Sequence, residues 1–266
     1  MISTVGIIGY GCVGQAIKKS LKLKNITVFY FDKYQKSHSF EDCLKSNLIF
    51  ICVPTNLDNT QQYDKKDLYE TIKSLNQHNY QGIVVNKCTV EPFTLFKLSK
   101  DFTNIKLVHN PEFLSSDTSF EDFHNQKHIV LGKTENIKEE EFDILKNFYK
   151  KNYSEAEISV CSSTESEYMK IFCNSFYAVK IQFFNELYLS CQKNNCDYNL
   201  IRDMMLKNRW INPKHTNVPG KDGKLGYGGM CLPKDTIALL TFLKNQDTPY
   251  EIINSCVNEN QLLREI

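Results

Sequence analysis

Two short runs in this chain carry residue types whose spacing implies chemistry. The run GYGCVG at residues 9–14 is a G-x-G-x-x-G. Glycine-rich turns are common, so the pattern alone says little. Here it follows a β-branched run, opens a helical pattern and is followed by Asp32 at the end of a second strand pattern. That context is a dinucleotide fingerprint. Gly9 makes the tight turn, Gly11 lets a pyrophosphate approach the backbone at a helix N-terminus, and Gly14 lets helix and strand pack closely. Cys12 and Val13 belong to the same cofactor-binding turn. Asp32 would accept hydrogen bonds from a ribose 2′-hydroxyl and repel a 2′-phosphate, which favours NAD over NADP; Lys33 beside it pulls the other way.

The second run, GYGGMCLPKD at residues 226–235, is the sharper signal. It sets Cys231 on a glycine-rich turn, one helical turn ahead of Asp235. Amides at the start of the following helix, together with Lys234 or a bound NAD cation, would lower the thiol pKa and favour a thiolate nucleophile. The glycines leave room for a substrate against the backbone. For the other nine cysteines an incidental thiol is the preferred reading.

The elements that must position these groups follow from periodicity. Strand patterns fall at residues 5–8, 27–31, 48–53, 83–86, 106–109 and 129–131, with helical stretches such as 13–23, 67–79 and 139–149 between them. This alternation predicts βαβ units and an α/β, Rossmann-like, doubly wound parallel sheet with right-handed crossovers. Near residue 160 the pattern changes. Thr164 and Glu167 have capping-box spacing. Tyr168, Ile171, Phe172, Phe176, Val179, Phe183 and Leu187 then recur at helical spacing, reading as core or dimer contact. Further helical stretches cover 200–207, 236–243 and 250–264, and no strand pattern reappears. Two domains are expected: an NAD-binding domain over 1–160, and an all-helical domain over 161–266 that carries Cys231.

Composition narrows the function. The chain has 266 residues, with 32 Lys+Arg against 31 Asp+Glu, a net charge of +1. That balance argues against nucleic-acid binding by bulk electrostatics. The longest apolar run, residues 48–53, is far short of the roughly 20 residues of a membrane helix, and the N-terminus shows no basic signal-peptide region. Ten cysteines without a C-x-x-C pair read as reduced thiols of a cytoplasmic protein. His124 and His128 are spaced for a metal on a helix, but His128 leads into a strand pattern, so no metal is assigned.

Further runs stand in a fixed order: FICVPT at 50–55, KCTV at 87–90, NPEFL at 110–114 and KIFCN at 170–174. With the two runs above, they resemble the UDP-glucose/GDP-mannose dehydrogenases, over essentially the whole chain. The resemblance implies four-electron, NAD-dependent oxidation of a nucleotide sugar at C6, with UDP-glucose the first choice. It implies that Cys231 is the nucleophile and that Lys170 and Asn174, one turn apart on a helix, hold the oxygen at C6. Asp235 and Thr89 would orient a water that deprotonates the alcohol, and Glu112 would be the general base for thioester hydrolysis. Val53, Pro54, Thr55, Thr89 and Lys234 would contact the cofactor, and Phe113, Leu114, Tyr227 and Gly228 the substrate. A homodimer through the central helix is also implied.

Two departures qualify the match. The family pattern places a carboxylate where this chain has Ser116, and Asp117 would replace it only with a shifted backbone. The family also continues into a further nucleotide-gripping domain, which this chain is expected to lack. Two other readings remain open: a two-electron dehydrogenase of the β-hydroxyacid kind, which needs no nucleophilic cysteine, and an NAD-binding interaction protein without turnover.

Overall fold

The β-branched runs form strands β1 (Thr4–Ile8), β2 (Thr27–Phe31), β3 (Leu48–Ile51), β4 (Ile83–Asn86), β5 (Lys106–His109), β6 (His128–Lys133) and β7 (Glu157–Ser162). The structure is a computed structural model and describes residues 2–265, with the side chain of Ser116 outside that description. One sheet contains all seven strands in the order β2-β1-β3-β4-β5-β6-β7. Every neighbouring pair is parallel except β5–β6. The sheet is thus parallel-dominated and Rossmann-like, with one reversal that the strand patterns did not announce. Strand β7 was also missed. Its side chains are half-buried or exposed throughout, as at a sheet edge, and its short alternation of Ile158 and Val160 with polar residues runs straight into the helical pattern that follows.

Helices α1 (Cys12–Leu23), α2 (Phe40–Leu44), α3 (Lys66–Gln77), α4 (Thr94–Asp101), α5 (Ser119–His124) and α6 (Glu139–Asn152) lie between the strands. Alternate side chains of each strand point to opposite faces. Val5, Ile7, Phe50 and Val85 therefore join a core with Ile17 and Leu21 of α1 and with Phe142 and Leu145 of α6. Ile8, Ile49, Ile51 and Val84 join a second core with Leu68 and Ile72 of α3 and with Leu95 of α4. His124 ends α5 and His128 opens β6.

The remaining helices are α7 (Ser163–Lys193), α8 (Tyr198–Lys207), α9 (Leu232–Asn245) and α10 (Glu251–Glu265). By compactness the chain divides into one unit of Met1–Asn56 with Tyr63–Lys170 and another of Leu57–Gln62 with Ile171–Ile266. The second unit is helical. One of its cores joins Ala178, Tyr227 and Cys256; another joins Phe184, Cys191 and Tyr198. Among the described residues no helix is long and apolar enough to cross a membrane.

Helix α7 corrects one expectation and narrows another. Its capping box is Ser162 with Glu165, not Thr164 with Glu167. The Ser162 amide donates to Glu165 Oε2 at 2.7 Å, and the Glu165 amide donates to Ser162 Oγ at 3.2 Å. The same residue pattern occurs twice in this stretch, and the strand end at Ser162 decides between them. The aromatic stripe also faces outward: Phe172, Phe176 and Phe183 are 42%, 62% and 54% exposed. The buried positions are instead largely polar, including Ser166, Glu167, Lys170, Asn174 and Asn185.

Glu167 shows what a buried polar position does here. Phe93, which precedes α4, is in the left-handed region (φ 72°) and offers no side-chain cap. Glu167 Oε1 accepts the Leu95 amide at 2.8 Å and caps α4 from another element. Burial is the main reason its carboxyl is pushed up to about 8 from 4.5. Between those values the folded chain keeps a proton that the unfolded chain has lost, so this group makes stability fall as pH rises from about 4.5 to 8. Glu167→Gln should flatten that slope, which denaturant midpoints measured at pH 5 and pH 8 will show.

Candidate active site

The order β2-β1-β3 means that the chain leaves β1 in one direction and reaches β3 in the other. At such a switch point the carboxyl ends of neighbouring strands leave a crevice. The turns after β1 and after β3 meet there: the Cys52 amide donates to Ile8 O at 2.7 Å, and the Gly9 amide to Phe31 O at 2.9 Å. Gly9 has φ +93°, and a Cβ on it would lie 2.5 Å from Cys52 O. A Cβ on Gly14 would lie 2.3 Å from Gly9 O, whereas one on Gly11 would meet nothing within 4 Å. Gly9 and Gly14 are therefore small for the fold, and Gly11 leaves an open face.

That open face lies at the start of α1, which has no side-chain cap and no acidic residue in its first turn. Its first amides are thus available to an anion. Cys12 is exposed and Val13 half-buried. Asp32 ties the glycine turn to the end of β2, its Oδ2 accepting the Tyr10 amide at 2.7 Å and its Oδ1 the Tyr34 amide at 2.8 Å. Lys33 pairs with Asp67 at 2.7 Å and Glu70 at 3.5 Å, so its charge is already matched by carboxylates of α3. After β3, Val53 O accepts from Cys88 Sγ at 3.1 Å, Pro54 is exposed, and buried Thr55 donates from Oγ1 to Thr89 O at 2.8 Å. An open glycine face and unclaimed helix amides fit a dinucleotide pyrophosphate.

Around the turn that follows β5 the same unit buries two lysines. Lys87 is 3% exposed and donates to Asn110 Oδ1 at 2.9 Å and to Pro111 O at 3.5 Å. Burial is the main cause that holds its ammonium down at about 8. Asn110 Oδ1 also accepts from the Tyr149 hydroxyl, and Asn110 Nδ2 donates to Val130 O at 2.7 Å. Lys170, also 3% exposed, donates to Glu112 O at 2.5 Å, with Glu112 Oε1 at 3.4 Å. Glu112 Oε2 accepts the Leu114 amide at 2.5 Å. Phe113 stacks on His128 and carries the Lys170 ammonium 5.2 Å from its ring centre. His109 is wholly buried, and burial above all pushes its imidazole down to about 3, so it is neutral. Its Nε2 faces Cys88 O at 3.3 Å and must carry the proton, so Nδ1 accepts from Ser166 Oγ at 2.8 Å. Asp117 is exposed in a 3-10 turn over Ser116–Thr118; the Ser116 side chain lies outside the described residues.

In the helical unit Cys231 is exposed and immediately precedes α9. Asp235, in the first turn, is 1% exposed; its Oδ2 accepts from Asn174 Nδ2 at 2.6 Å and its Oδ1 from Lys234 Nζ at 2.7 Å. The Asp235 amide donates to Cys231 O at 2.9 Å. Asn174 of α7 thus joins Lys234 and Asp235 in one cluster at the start of the helix that Cys231 opens. Among the described residues no group of His, Cys, Asp and Glu could hold a metal ion.

Residues 32–153 match the NAD binding domain, and residues 164–262 the central domain, of the UDP-glucose/GDP-mannose dehydrogenase family. The chain belongs to this family. It is 31% identical over 228 residues to a UDP-glucose 6-dehydrogenase of Rickettsia bellii, covering 83% of this chain and 50% of that one. It is 28% identical over 227 residues to UDP-glucose 6-dehydrogenase TuaD of Bacillus subtilis, covering 82% and 47%. The chain therefore spans about half the length of these curated relatives. A UDP-glucose dehydrogenase from Pyrobaculum islandicum shares the fold with a TM-score of 0.86 at 22% identity, over 98% of this chain and 68% of that one. The residues that match the family's NAD binding domain begin at Asp32, which ties down the glycine turn.

Two expectations about this dehydrogenase-family chain are revised by geometry. Gly226 and Gly228 do not leave room for a substrate: a Cβ on Gly226 would lie 2.4 Å from Asn260 Oδ1, and one on Gly228 2.4 Å from Arg264 Nη2. Of the three glycines in this run, Gly229 alone faces open space. The Tyr227 ring is 3% exposed and sits in the core with Ala178 and Cys256, not on a substrate-facing surface, because an aromatic ring between two glycines can turn inward as a plug. Residues that the sequence did not single out are Asn185, Asn260 and Arg264, which bond to backbone atoms far along the chain and so leave no local pattern. Lys87 was visible inside its motif but had no assigned role.

The glycine geometry separates binding from folding. Gly14→Ala should lower the melting temperature sharply, because its methyl group would collide with Gly9 O. Gly11→Ala should leave the melting temperature within a few degrees of the parent and weaken NAD binding at least tenfold by calorimetry.

Proposed function

We propose that this chain oxidises a nucleotide sugar at C6 from alcohol to acid, with UDP-glucose as the first substrate to test. The observation that carries this reading is an exposed Cys231 at the mouth of α9, one turn ahead of a buried Asp235 that Asn174 of α7 and Lys234 of α9 both bond. Family membership and the names of the relatives support the same chemistry.

The residues divide the work as follows. Asp235 and Thr89 orient a water that takes the proton of the C6 hydroxyl as the alcohol becomes an aldehyde. The Cys231 thiolate adds to the aldehyde carbon, giving a thiohemiacetal whose oxygen Lys170 and Asn174 stabilise by hydrogen bonding. Oxidation of that adduct leaves a thioester, and Glu112 acts as general base for the water that releases the acid and restores the thiol. Bound NAD supplies the hydride acceptor for both oxidations. Lys33, committed to Asp67 and Glu70, offers little to a 2′-phosphate, which favours NAD over NADP. The exposed Phe172, Phe176 and Phe183, which share a face of α7, support a homodimer through this helix.

Purified protein given NAD and UDP-glucose should form two NADH per acid, and Cys231→Ser should form no acid. One NADH per sugar would instead favour the two-electron reading. No turnover with UDP-glucose, UDP-N-acetylglucosamine, UDP-N-acetylmannosamine or GDP-mannose would favour an NAD-binding interaction protein. Replacing Phe176 and Phe183 by Glu should yield a monomer in sedimentation; an unchanged oligomer would remove the dimer proposal.

A further inference from the structure

The turn that precedes Cys231 is bonded almost wholly through its backbone. Asn260 of α10 takes both polar groups of one residue: its Oδ1 accepts the Tyr227 amide at 2.7 Å, and its Nδ2 donates to Tyr227 O at 3.1 Å. Arg264, one turn further along α10, donates from Nε to the same Tyr227 O at 3.1 Å and from Nη2 to Gly226 O at 3.4 Å. Its Nη1 pairs with Asp222 Oδ2 at 2.6 Å, so a single guanidinium joins two places in the loop. On the other side, Asn185 of α7 accepts the Gly226 amide at 2.9 Å. Asn185 and Asn260 are 2% and 8% exposed, so these bonds are sheltered from water. The absent side chains of Gly226 and Gly228 are what let Asn260 and Arg264 come this close.

We propose that Asn260 and Arg264 are positioning residues for the Cys231 thiol. Cys231 lies between two anchored segments: α9, whose Thr236, Ala238 and Leu239 are fully buried, and the turn clamped to α10. Gly228, against which Arg264 packs, Gly229 and Met230 lie between the last bonded residue, Tyr227, and the thiol. Gly229 has open space around it and a φ of +79°, and Met230 is 87% exposed, so these two contribute little restraint of their own. The direction in which the chain enters α9 is therefore set by the clamp. A thiol at a helix start gains nucleophilicity from the first-turn amides only while it points at them. A fork of N–H donors on one rigid plane suits Arg for this task, and Lys cannot bridge the same two carbonyls.

This inference rests on Cys231 being the reactive thiol proposed above, and its test reads the clamp separately from turnover. Hydrogen exchange would be followed by mass spectrometry on the full chain and on its Asn260→Ala, Arg264→Met and Arg264→Lys variants. Iodoacetamide labelling of Cys231 would be measured against exposed Cys196 in the same molecules. Asn260→Ala and Arg264→Met should lose protection in peptides over 226–231, while peptides of α1 and β1 keep theirs. Labelling of Cys231 relative to Cys196 should slow at least fivefold, and kcat should fall at least tenfold with NAD affinity unchanged. Arg264→Lys should lie between the parent and Arg264→Met, and it carries the test if the Met variant does not fold. Unchanged exchange over 226–231 would overturn the clamp. Faster exchange with unaltered relative labelling would overturn its role in positioning the thiol. A parent protein without turnover but with these exchange and labelling changes would count against the proposed reaction and leave the clamp standing.

Discussion

Two buried ammonium groups on one short turn constrain the sheet-containing unit. Removing a charged lysine from water costs several kcal/mol unless oxygens replace its hydration. Lys87 finds those oxygens on Asn110 and Pro111, and Lys170 finds them on Glu112. The turn cannot shift without uncovering one charge or the other. Asn110 also binds Val130 of β6 and Tyr149 of α6, so the turn joins strand, helix and both lysines. Glu112 is thus delivered to Lys170 by groups that do no chemistry themselves.

Helix α7 shows the same economy. A helix of this length would ordinarily bury its apolar stripe. Here Glu167 caps α4, Lys170 meets Glu112, Asn174 meets Asp235 and Asn185 meets Gly226, each within its own unit. With so many buried positions given to polar partners, Phe172, Phe176 and Phe183 are left outside. Those four meet the condition for tolerating a buried polar group, a hydrogen bond, whereas Ser175 Oγ and both polar side-chain atoms of Gln182 are buried on the same helix without a hydrogen-bond partner among the described residues.

How much was legible in the sequence depended on whether a residue's partner lay nearby in the chain. The glycine turn, Asp32 and the parallel strands were readable because period, turn chemistry and sequence neighbourhood all agree there. Strand β7 was not, because only Ile158 of this short edge strand packs on the core and the helical pattern of α7 follows it without a break. The Glu167 capping assignment failed because capping-box spacing recurs two residues earlier, and only the strand end at Ser162 breaks the tie. The aromatic stripe was left between core and dimer contact for a related reason: periodicity marks a face but does not say what covers it. Asn260 and Arg264 were invisible, since their partners are main-chain atoms of residues 226 and 227.

The reversal between β5 and β6 carries a consequence for how this chain can vary. After His109 the backbone does not enter a crossover helix but runs beside β6, with Asn110 reaching Val130 and Phe113 lying on His128. An extended segment laid along a strand inherits its two-residue pleat. Insertion or deletion of one residue between His109 and Phe113 would swing the Glu112 carboxylate to the opposite face. The spacing of this stretch is therefore locked more tightly than the identity of several of its side chains, and length changes will be tolerated elsewhere first.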